Sequence, residues 1–269
     1  MHTPVLLQQA IGRLNIKRGG RYIDATFGEG GYSKAISDLG GIVLGIDLDQ
    51  DQISRGKVSL PNIGLVCGNF ADVEKIAKEN NFFPVDGIVL DLGLSMYQLS
   101  DSGRGFSYFN KEERLDMRID DRSGPTVKEI IKSLSIEELY QALSKNSEEL
   151  KSKEIAVSIK AQRKMETVAD LVGAIDRAVG HPAKRTYARV FQALRIEANN
   201  EFKNLKEGLK GSLKVLKPGG RLAIISFHSL EDRVIKNFIK ENKLTQLDKK
   251  PIRGVRKFER SAKLRVVII

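Results

Sequence analysis

The chain has 269 residues, of which 45 are Lys or Arg and 34 are Asp or Glu, so its formal charge is +11. The length suits one large α/β domain with or without a smaller inserted domain, and the charge favours a polyanionic partner such as nucleic acid or an anionic membrane surface. The only cysteine, Cys67, excludes a disulfide framework and a cysteine-based zinc site. Because the sequence has neither an export signal nor an apolar run of about 20 residues, we expect a cytoplasmic protein with no membrane partner.

The first part of the chain alternates between strand and helix patterns. A short amphipathic helix is predicted at 6–14. Several later segments are short, rich in Val, Ile and Leu and almost continuously apolar, as in strands that are buried on both faces of a parallel sheet. They lie at 21–27, 41–47, 63–66, 85–90 and 221–227, and helices are predicted at 32–39, 50–58 and 72–79. This alternation predicts an α/β fold with a doubly wound sheet.

The alternation stops after Leu94. Residues 107–187 show only helix patterns, at 127–134, 136–143, 152–162 and 168–179. Ser135 and Thr167 stand where N-caps are expected. We therefore predict an all-helical domain at 107–187, inserted into a sheet domain made of 1–106 and 188–269, and we interpret the insertion as a substrate-recognition domain.

One long helix is predicted after the insertion, because apolar residues recur every three or four positions from Phe191 to Leu216. The Lys-Pro-Gly-Gly sequence at 217–220 would end it. A last strand is predicted at 264–269. The basic tail at 249–265 is either a solvated face or a set of phosphate contacts, with candidates Lys249, Lys250, Arg253 and Arg256.

A glycine-rich turn follows the first predicted strand. Gly28, Gly30 and Gly31 let the backbone turn sharply and come close to a ligand at the carboxyl edge of the sheet. Asp47 ends the next strand, about 20 residues further on, where its carboxylate can accept both hydroxyls of a ribose. The pair predicts a cofactor that contains a nucleoside.

Two acids near this turn bear on which nucleoside it binds. The G-x-G-x-x-G spacing that presents a helix N-terminus to a pyrophosphate is missing, and the carboxylate of Glu29 is unfavourable beside phosphates. Asp24, before the turn, suits a cationic ligand instead. S-adenosylmethionine carries an ammonium and a sulfonium group, so methyl transfer is favoured over hydride transfer.

Two further candidates follow later strands. Phe70 can pack on the adenine or can be an ordinary core residue. Asp91 ends the fourth strand, where α/β enzymes place catalytic or ligand-binding groups, although a helix cap is the alternative.

Nine segments, which span nearly the whole chain in one order, resemble the bacterial MraW/RsmH methyltransferases. They are HTPVLL (2–7), DATFGEGG (24–31), GIDLD (45–49), LDLGLS (90–95), RGFS (104–107), LDMRID (115–120), FQALRIEAN (191–199), LKPGGRLAIISFHSLEDR (216–233) and RSAKLR (260–265). The resemblance implies a Rossmann-like class I methyltransferase sheet with a helical insertion. It also implies that S-adenosylmethionine is used to methylate the exocyclic N4 amine of a cytidine in the decoding region of small-subunit (16S) ribosomal RNA. Whether the substrate is free RNA or the assembled small subunit, and whether the protein is a homodimer, stays open.

The resemblance also implies a set of cofactor contacts. Tyr32 stands where the family usually has a His, and Met96-Tyr97 replaces the usual Ser-Pro before Gln98. The resemblance is loose between residues 145 and 164. The implied contacts are Gly30, Gly31, Tyr32, Asp47, Phe70, Asp91 and Gln98.

Methylation of a cytosine amine needs hydrogen-bond acceptors for its protons and an in-line approach to the methyl group. Asp91 and Ser95 are the candidates, although the Pro-Pro-aromatic motif of other amine methyltransferases is missing. Methyl transfer to a ring carbon normally uses a covalent cysteine. We interpret Cys67 as a small buried hydrophobic residue instead.

Residues 226–233 form a second polar concentration at a strand end. Ser226 and His228 are candidate substrate contacts, and His228 can also shuttle a proton. In the alternative reading, Ser229 caps the next helix with Asp232 as its N3 partner, and His228 only packs. No metal site is predicted from the three histidines, although a carboxylate-bound Mg²⁺ stays open.

The remaining candidates lie in or beside the insertion. Arg104, Phe106, Asp116 and Arg118 fit a loop that clamps a flipped nucleotide, with Phe106 stacking on the base and the arginines on phosphate. The alternative is a salt-bridge network that joins the insertion to the sheet.

Polar residues also follow one side of the predicted long helix. Gln192, Arg195 and Asn199 line either an active-site wall or a solvated helix edge. Arg195 and Asn199 are taken as substrate contacts. Two other functions stay open: a methyltransferase that acts on DNA or protein, and an RNA-binding assembly factor without turnover.

Overall fold

The computed structural model of the protein describes residues 4–256 and 259–269. The chain forms two compact units, one made of the residues up to Leu94 and from Phe202 onward, the other of Ser95–Glu201. The second unit thus begins before and ends after the expected insertion at 107–187. At its C-terminal end the unit includes the helix Lys184–Asn199, which was predicted to lie in the sheet domain and which packs against the helix Ile136–Ser147. Residues 1–3, with His2, and Lys257 and Phe258 of the basic tail lie outside the described residues.

The first unit is built on one eight-stranded sheet, ordered β3-β2-β1-β4-β5-β8-β6, with β7 also paired to β8. The strands from β3 to β5 in this order are parallel, and β6, β7 and β8 pair in antiparallel fashion. This confirms the predicted α/β class, whereas the two short antiparallel strands at 245–246 and 252–253 were not predicted. The strands are β1 Arg21–Asp24, β2 Ile42–Asp47, β3 Gly64–Cys67, β4 Val85–Asp91, β5 Leu216–Ser226, β6 Thr245–Gln246, β7 Ile252–Arg253 and β8 Lys263–Ile268.

Helices account for most of the remaining regular structure. A 3-10 turn, Phe70–Asp72, follows β3. No helix within the described residues is both long and apolar enough to cross a membrane. The helices are α1 Leu7–Leu14, α2 Gly31–Asp38, α3 Gln50–Ser59, α4 Val73–Glu79, α5 Met96–Ser100, α6 Val127–Ser133, α7 Ile136–Ser147, α8 Ser152–Lys160, α9 Val168–Val179, α10 Lys184–Asn199, α11 Glu201–Val215 and α12 Ser229–Glu241.

The sheet separates two apolar layers, which explains its continuously apolar strands. Successive residues of a strand point to opposite faces. Ile23 and Ile88 therefore join one core cluster, and Tyr22 and Val89 join the other. Asp24, Asp47 and Asp91 are the last residues of β1, β2 and β4, so these three acids collect at the carboxyl edge of the sheet.

The prediction of a single long helix after the insertion is wrong. Asn200 has a φ of 50°, in the left-handed region, and separates α10 from α11. Asparagine tolerates this conformation better than most residues, because its short polar side chain can hydrogen-bond locally. The apolar spacing continues on both sides of the break, so periodicity alone does not reveal it.

The second unit is helical, and its helices α6, α7 and α9 begin at side-chain caps. In each cap the hydroxyl of the N-cap residue accepts the backbone N–H of the residue three positions on. The carboxylate of that later residue in turn accepts the backbone N–H of the N-cap residue. The three N-cap residues are Thr126, Ser135 and Thr167. The N-cap positions predicted at Ser135 and Thr167 are confirmed. Helix α7 packs against α8 and α10, and α8 packs against α9. This packing places α10 in the helical unit rather than in the sheet unit.

Candidate active site

Asp24, the last residue of β1, is a fully buried carboxylate. Its Oδ2 atom accepts hydrogen bonds from the Ser33 backbone N–H at 3.1 Å and the Ser33 hydroxyl at 2.7 Å. Its Oδ1 atom has no hydrogen-bond partner among the described residues. Burial, with smaller contributions from Asp47 and Asp91, outweighs the two Ser33 bonds and raises the pKa of Asp24 to about 7. A buried carboxylate with one unsatisfied oxygen is a binding group for a cation.

Asp47, the last residue of β2, holds the glycine turn. Its Oδ2 atom accepts the Gly28 N–H at 2.7 Å, and its Oδ1 atom accepts the Asp49 N–H at 2.8 Å. Burial raises the pKa of Asp47 to about 6, although these backbone hydrogen bonds oppose the shift. A carboxylate has about four lone-pair sites, so two oxygens that each accept one N–H can still accept hydroxyl donors. The geometry is compatible with the predicted ribose contact.

Asp91, the last residue of β4, faces the hydroxyl of Tyr32. Its backbone N–H donates to the Thr26 hydroxyl at 2.7 Å, which ties β4 to the end of β1. The carboxylate lies 3.3 Å from the Gly93 N–H through Oδ1 and 3.3 Å from the Tyr32 hydroxyl through Oδ2. Burial is the main reason that the pKa of Asp91 is raised to about 7.

Glycine is required at two positions of the turn. Gly30 has a φ of 78° at the start of α2, and a Cβ there would lie 2.6 Å from the Leu60 side chain. At Gly31 a Cβ would lie 2.1 Å from Pro4. Gly28 has a φ of 52°, and the nearest atom to a Cβ there is 3.9 Å away. Protein atoms therefore fill the space beside Gly30, whereas the space beside Gly28 is free for a ligand.

The site residues fit S-adenosylmethionine. None of the carboxylates of Asp24, Asp47 and Asp91 forms an ion pair with a described Lys, Arg or His, and the pKa of each is raised. A ligand that brings its own positive charge would stabilise the ionised carboxylates, and the ammonium and sulfonium groups of this cofactor do so. Ser33 and Thr26, which orient two of these acids, were missed because a hydroxyl carries no distinctive spacing.

Phe70 lies in the 3-10 turn after β3. Its ring packs on Gly208 of α11, where a Cβ would come within 2.5 Å of the ring. The side chain is partly buried against the sheet core. This packing is what the core alternative expects, and the adenine contact stays a prediction. Cys67, nearby, is half-buried, with its Sγ atom 3.7 Å from the Leu48 carbonyl oxygen.

The polar group after β5 is a helix cap, but not the one expected. His228, rather than Ser229, is the N-cap of α12, and its Nδ1 atom accepts the Glu231 N–H at 3.3 Å. The buried Glu231 carboxylate accepts the Phe227 and His228 N–H groups. The Nε2 atom of His228 is 2.9 Å from Glu231 Oε1, but the two are not aligned as a hydrogen bond. Ser226 is buried, and its hydroxyl has no partner among the described residues.

Asp232, the expected N3 partner in that cap, has a different role. Its carboxylate is paired with the Arg265 Nε atom at 2.8 Å and the Lys263 Nζ atom at 3.0 Å. These hydrogen bonds and charges hold the pKa of Asp232 below its usual value despite burial. Asp232 therefore joins α12 to β8.

In the second unit, the predicted nucleotide clamp is occupied by internal contacts. Arg104 is 2% exposed, and its guanidinium donates to the carbonyls of Arg118 and Ile119 at 3.3 and 2.7 Å. Arg118 forms a two-point ion pair with Asp116, at 2.7 and 3.0 Å. Phe106 is only 6% exposed. A base cannot stack on a buried ring, so the structural alternative has the better support, in a network that lies within this unit.

Ser95 and Gln98 form the capping box of α5. The Ser95 hydroxyl accepts the Gln98 N–H at 3.1 Å, and the Gln98 side chain accepts the Ser95 N–H at 3.0 Å. The Ser-x-x-Gln spacing at 95–98 is the sequence pattern typical of such a box. Their catalytic and cofactor roles stay predictions.

Arg195 and Asn199 hold the end of α10. Arg195 forms a two-point ion pair with Glu201, at 2.7 and 3.0 Å. Asn199 accepts the Ile119 N–H and donates to the Met117 carbonyl, at 2.7 and 2.8 Å. Gln192 donates to the Asn146 carbonyl at 3.1 Å. These residues form a polar wall inside the helical unit, and their contact with substrate stays a prediction.

A parallel sheet with acids at the carboxyl ends of β1, β2 and β4, of which Asp24 is buried and Asp47 and Asp91 are half-buried, defines a Rossmann-like, class I methyltransferase fold. The chain shares this fold with the crystal structure of a putative rRNA-methylase from Clostridium thermocellum, with a TM-score of 0.50, 13% sequence identity, and coverage of 100% of this chain and 99% of the other. At that identity the likeness shows the fold alone.

The profile of the MraW methylase family matches residues 1–267, and the chain belongs to this family. It therefore uses S-adenosylmethionine as its methyl donor. A protein of Thermomicrobium roseum named ribosomal RNA small subunit methyltransferase H is 44% identical over 89% of this chain and 77% of its own length. Proteins of the same name from Buchnera aphidicola and Bradyrhizobium diazoefficiens are 42% and 41% identical, over 90% and 91% of this chain and 81% and 77% of their own lengths.

Proposed function

We propose that the chain transfers the methyl group of S-adenosylmethionine to the exocyclic N4 amine of a cytidine in the decoding region of small-subunit (16S) ribosomal RNA, in the cytoplasm. The observation that carries the proposal is the set of three carboxylates at adjacent strand ends, none of which has a cationic protein partner among the described residues. Family membership, the names of the relatives and the formal charge of +11 support an RNA substrate.

Each acid has a role in this proposal. Asp24 meets the positive end of the cofactor, and Asp47 accepts the ribose hydroxyls while it keeps the glycine turn in place. When bound, S-adenosylmethionine supplies an electrophilic methyl group. Asp91, in its ionised form, accepts a hydrogen bond from the cytosine amine and so orients the nitrogen lone pair toward that methyl group. Because the pKa of Asp91 is raised to about 7, about half of this carboxyl is ionised at neutral pH, and the ionised fraction that can accept the hydrogen bond grows as the pH rises.

We also propose that the unit Ser95–Glu201 recognises the substrate. It exposes Lys184 and Arg185 on the first turn of α10 and Phe109 beside Tyr108. Exposed cations and an exposed aromatic ring on one unit suit single-stranded RNA, because the cations can bind phosphate and the ring can stack on a base.

The function is tested with purified protein, S-adenosylmethionine labelled in its methyl group, and either free 16S RNA or assembled small subunits. We expect labelled N4-methylcytidine after digestion to nucleosides, with one of the two substrates preferred. The matched control is Asp51→Ala, an exposed acid on α3, which should keep activity, whereas Asp47→Ala should lose it. Label on a ring carbon, on DNA or on protein would contradict the proposal, and cofactor binding without transfer to either RNA substrate would favour an assembly factor.

A further inference from the structure

Residues 4–6 form an N-terminal strap that lies across the start of α2. Pro4 covers Gly31, since a Cβ at Gly31 would come within 2.1 Å of the proline ring. The carbonyl of Val5 accepts the hydroxyl proton of Tyr32. The strap therefore covers a glycine at which the cofactor is expected to approach the backbone.

The far end of the strap is fixed separately. The Leu6 N–H donates to the Glu259 carboxylate at 3.1 Å, and both residues are buried. Leu6 has a φ of 54°, a left-handed conformation that is unfavourable for a residue with a Cβ. Such a backbone persists only where its surroundings hold it, so the strap depends on its hydrogen bonds.

The hydroxyl of Tyr32 has two neighbours that both need its proton. Besides the Val5 carbonyl, the Asp91 Oδ2 atom lies 3.3 Å away. A carbonyl can only accept, an ionised carboxylate can only accept, and a tyrosine hydroxyl has one proton. Both contacts can be full hydrogen bonds only if Asp91 is protonated and donates to the hydroxyl oxygen. When Asp91 is ionised, it competes with Val5 for the same proton, and the charged acceptor forms the stronger bond.

From this count of protons we infer that Tyr32 is a positioning residue, a latch that holds the strap over Gly31 while Asp91 is neutral and releases the Val5 carbonyl when Asp91 becomes charged. The tyrosine proton stays on its oxygen throughout, and only the direction of the hydrogen bond changes. When Asp91 loses its proton, the strap is therefore released from Gly31 in the same step. This inference concerns the protein alone and does not rest on the proposed RNA substrate.

The charged groups around the latch keep the tyrosine itself neutral. Burial first, and then the carboxylates of Asp91, Asp24 and Glu259, raise the pKa of Tyr32 well above its usual value. Glu231 adds to the rise in the pKa of Asp91, which burial brings to about 7. Of the two side chains that share the hydrogen bond, Asp91 is thus the one that titrates near neutral pH, whereas Tyr32 keeps a proton to donate. Asp24, whose pKa is also raised to about 7, does not hydrogen-bond to the Tyr32 hydroxyl.

Hydrogen exchange of the peptide that covers residues 4–10 tests the latch in cofactor-free protein. After correction for intrinsic rates, we expect wild-type protection to fall about fivefold to tenfold between pH 6 and pH 8, as for the loss of one hydrogen bond. Tyr32→Phe should exchange at the faster rate at both pH values. Asp91→Asn should stay protected at both, because its amide donates to the Tyr32 hydroxyl as the neutral acid does.

Tyr22→Phe is the matched control, since Tyr22 is another buried tyrosine of the same unit, whose hydroxyl accepts the Lys17 N–H at 2.7 Å. It should leave exchange of the strap and its pH dependence unchanged. The inference is overturned if wild-type protection is the same at pH 6 and pH 8, or if Asp91→Asn loses protection as pH rises. These two outcomes decide the question even if Tyr32→Phe does not fold.

Discussion

The carboxylate of Asp47 accepts the backbone N–H of Gly28 at 2.7 Å. This bond joins the carboxyl end of β2 to the glycine turn after β1, so the residue proposed to bind the ribose also shapes the loop that approaches the cofactor. Loss of the charge therefore affects two features of the site at once.

Asp47→Asn should weaken S-adenosylmethionine binding by about 10- to 100-fold, the range expected for loss of a charge-assisted hydrogen bond. The asparagine amide can replace only one of the two accepting oxygens, and its NH₂ group would face a backbone N–H. Isothermal titration calorimetry measures the effect, with Asp51→Asn as the exposed control. Unchanged affinity in Asp47→Asn would exclude Asp47 as a cofactor ligand.

The free energy of unfolding of the cofactor-free protein should fall as pH rises from about 4 to about 7. The pKa of Asp24, raised from 3.8 to about 7, means that the folded protein retains a proton that the unfolded chain has lost, which favours the folded state only at the lower pH. Asp47 and Asp91 act in the same direction. Urea unfolding at a series of pH values measures this slope.

Asp24→Asn should reduce that slope, because it removes one of the three groups, and at pH 8 the variant should be more stable than wild type without cofactor. Its affinity for S-adenosylmethionine should fall, since the counter-charge is lost. Asp38→Asn, an exposed acid on α2, should leave the slope as it is. A slope in Asp24→Asn equal to that of wild type would show that Asp24 is already ionised in the folded protein.

Substitution of Phe106 should affect the stability of the protein, whereas substitution of Phe109 should affect RNA binding. Phe106 is 6% exposed and Phe109 is 66% exposed. Phe106→Ala should therefore lower the free energy of unfolding by about 3–5 kcal/mol, the usual range for a buried Phe. Phe109→Ala should change it by less than about 0.5 kcal/mol.

In RNA binding the order should reverse, because only Phe109 presents a free ring face. Its ring lies 4.3 Å from that of Tyr108, between centroids, and base stacking on an aromatic ring contributes about 1–3 kcal/mol. Filter binding to a single-stranded 16S fragment should show about a tenfold loss or more for Phe109→Ala. Equal affinities of Phe109→Ala and wild type would exclude this ring as a base contact.

His228→Ala should lower the free energy of unfolding by about 1 kcal/mol, the usual effect of losing an N-cap, whereas His228→Asn should retain most of the stability. Thermal unfolding measures both. If His228 is only a cap, methyl transfer follows stability and survives in His228→Asn. If His228 instead shuttles a proton or binds the substrate, both variants should be folded, or nearly so, and both should lose methyl transfer to the same extent.

The sequence predicted the sheet and its acids well, since a strand buried on both faces must be apolar until it leaves the core. Asp24, Asp47 and Asp91 therefore stood out as the first charges after apolar runs. Contacts to backbone groups were not predictable. The guanidinium of Arg104 is held by two carbonyls, and a carbonyl is present in every residue.

Long-range partners were equally hidden. The bond from Leu6 to Glu259 joins residues 253 positions apart, and no local pattern indicates it. The family resemblance implied that Tyr32 contacts the cofactor, and no local pattern indicated that its hydroxyl is directed to Val5 and Asp91. Asn200 illustrates a third case, because one residue in a left-handed conformation leaves the apolar periodicity unaltered.

The pairing of β4 with β5 spans the whole helical unit, since β4 ends at Asp91 and β5 begins at Leu216. During synthesis on a ribosome, β4 is thus an open sheet edge until the intervening residues and β5 have been made. Such an edge favours association with other chains. The helical unit Ser95–Glu201 lies entirely within this interval, so the closure of β5 onto β4 is a long-range step that comes late in folding.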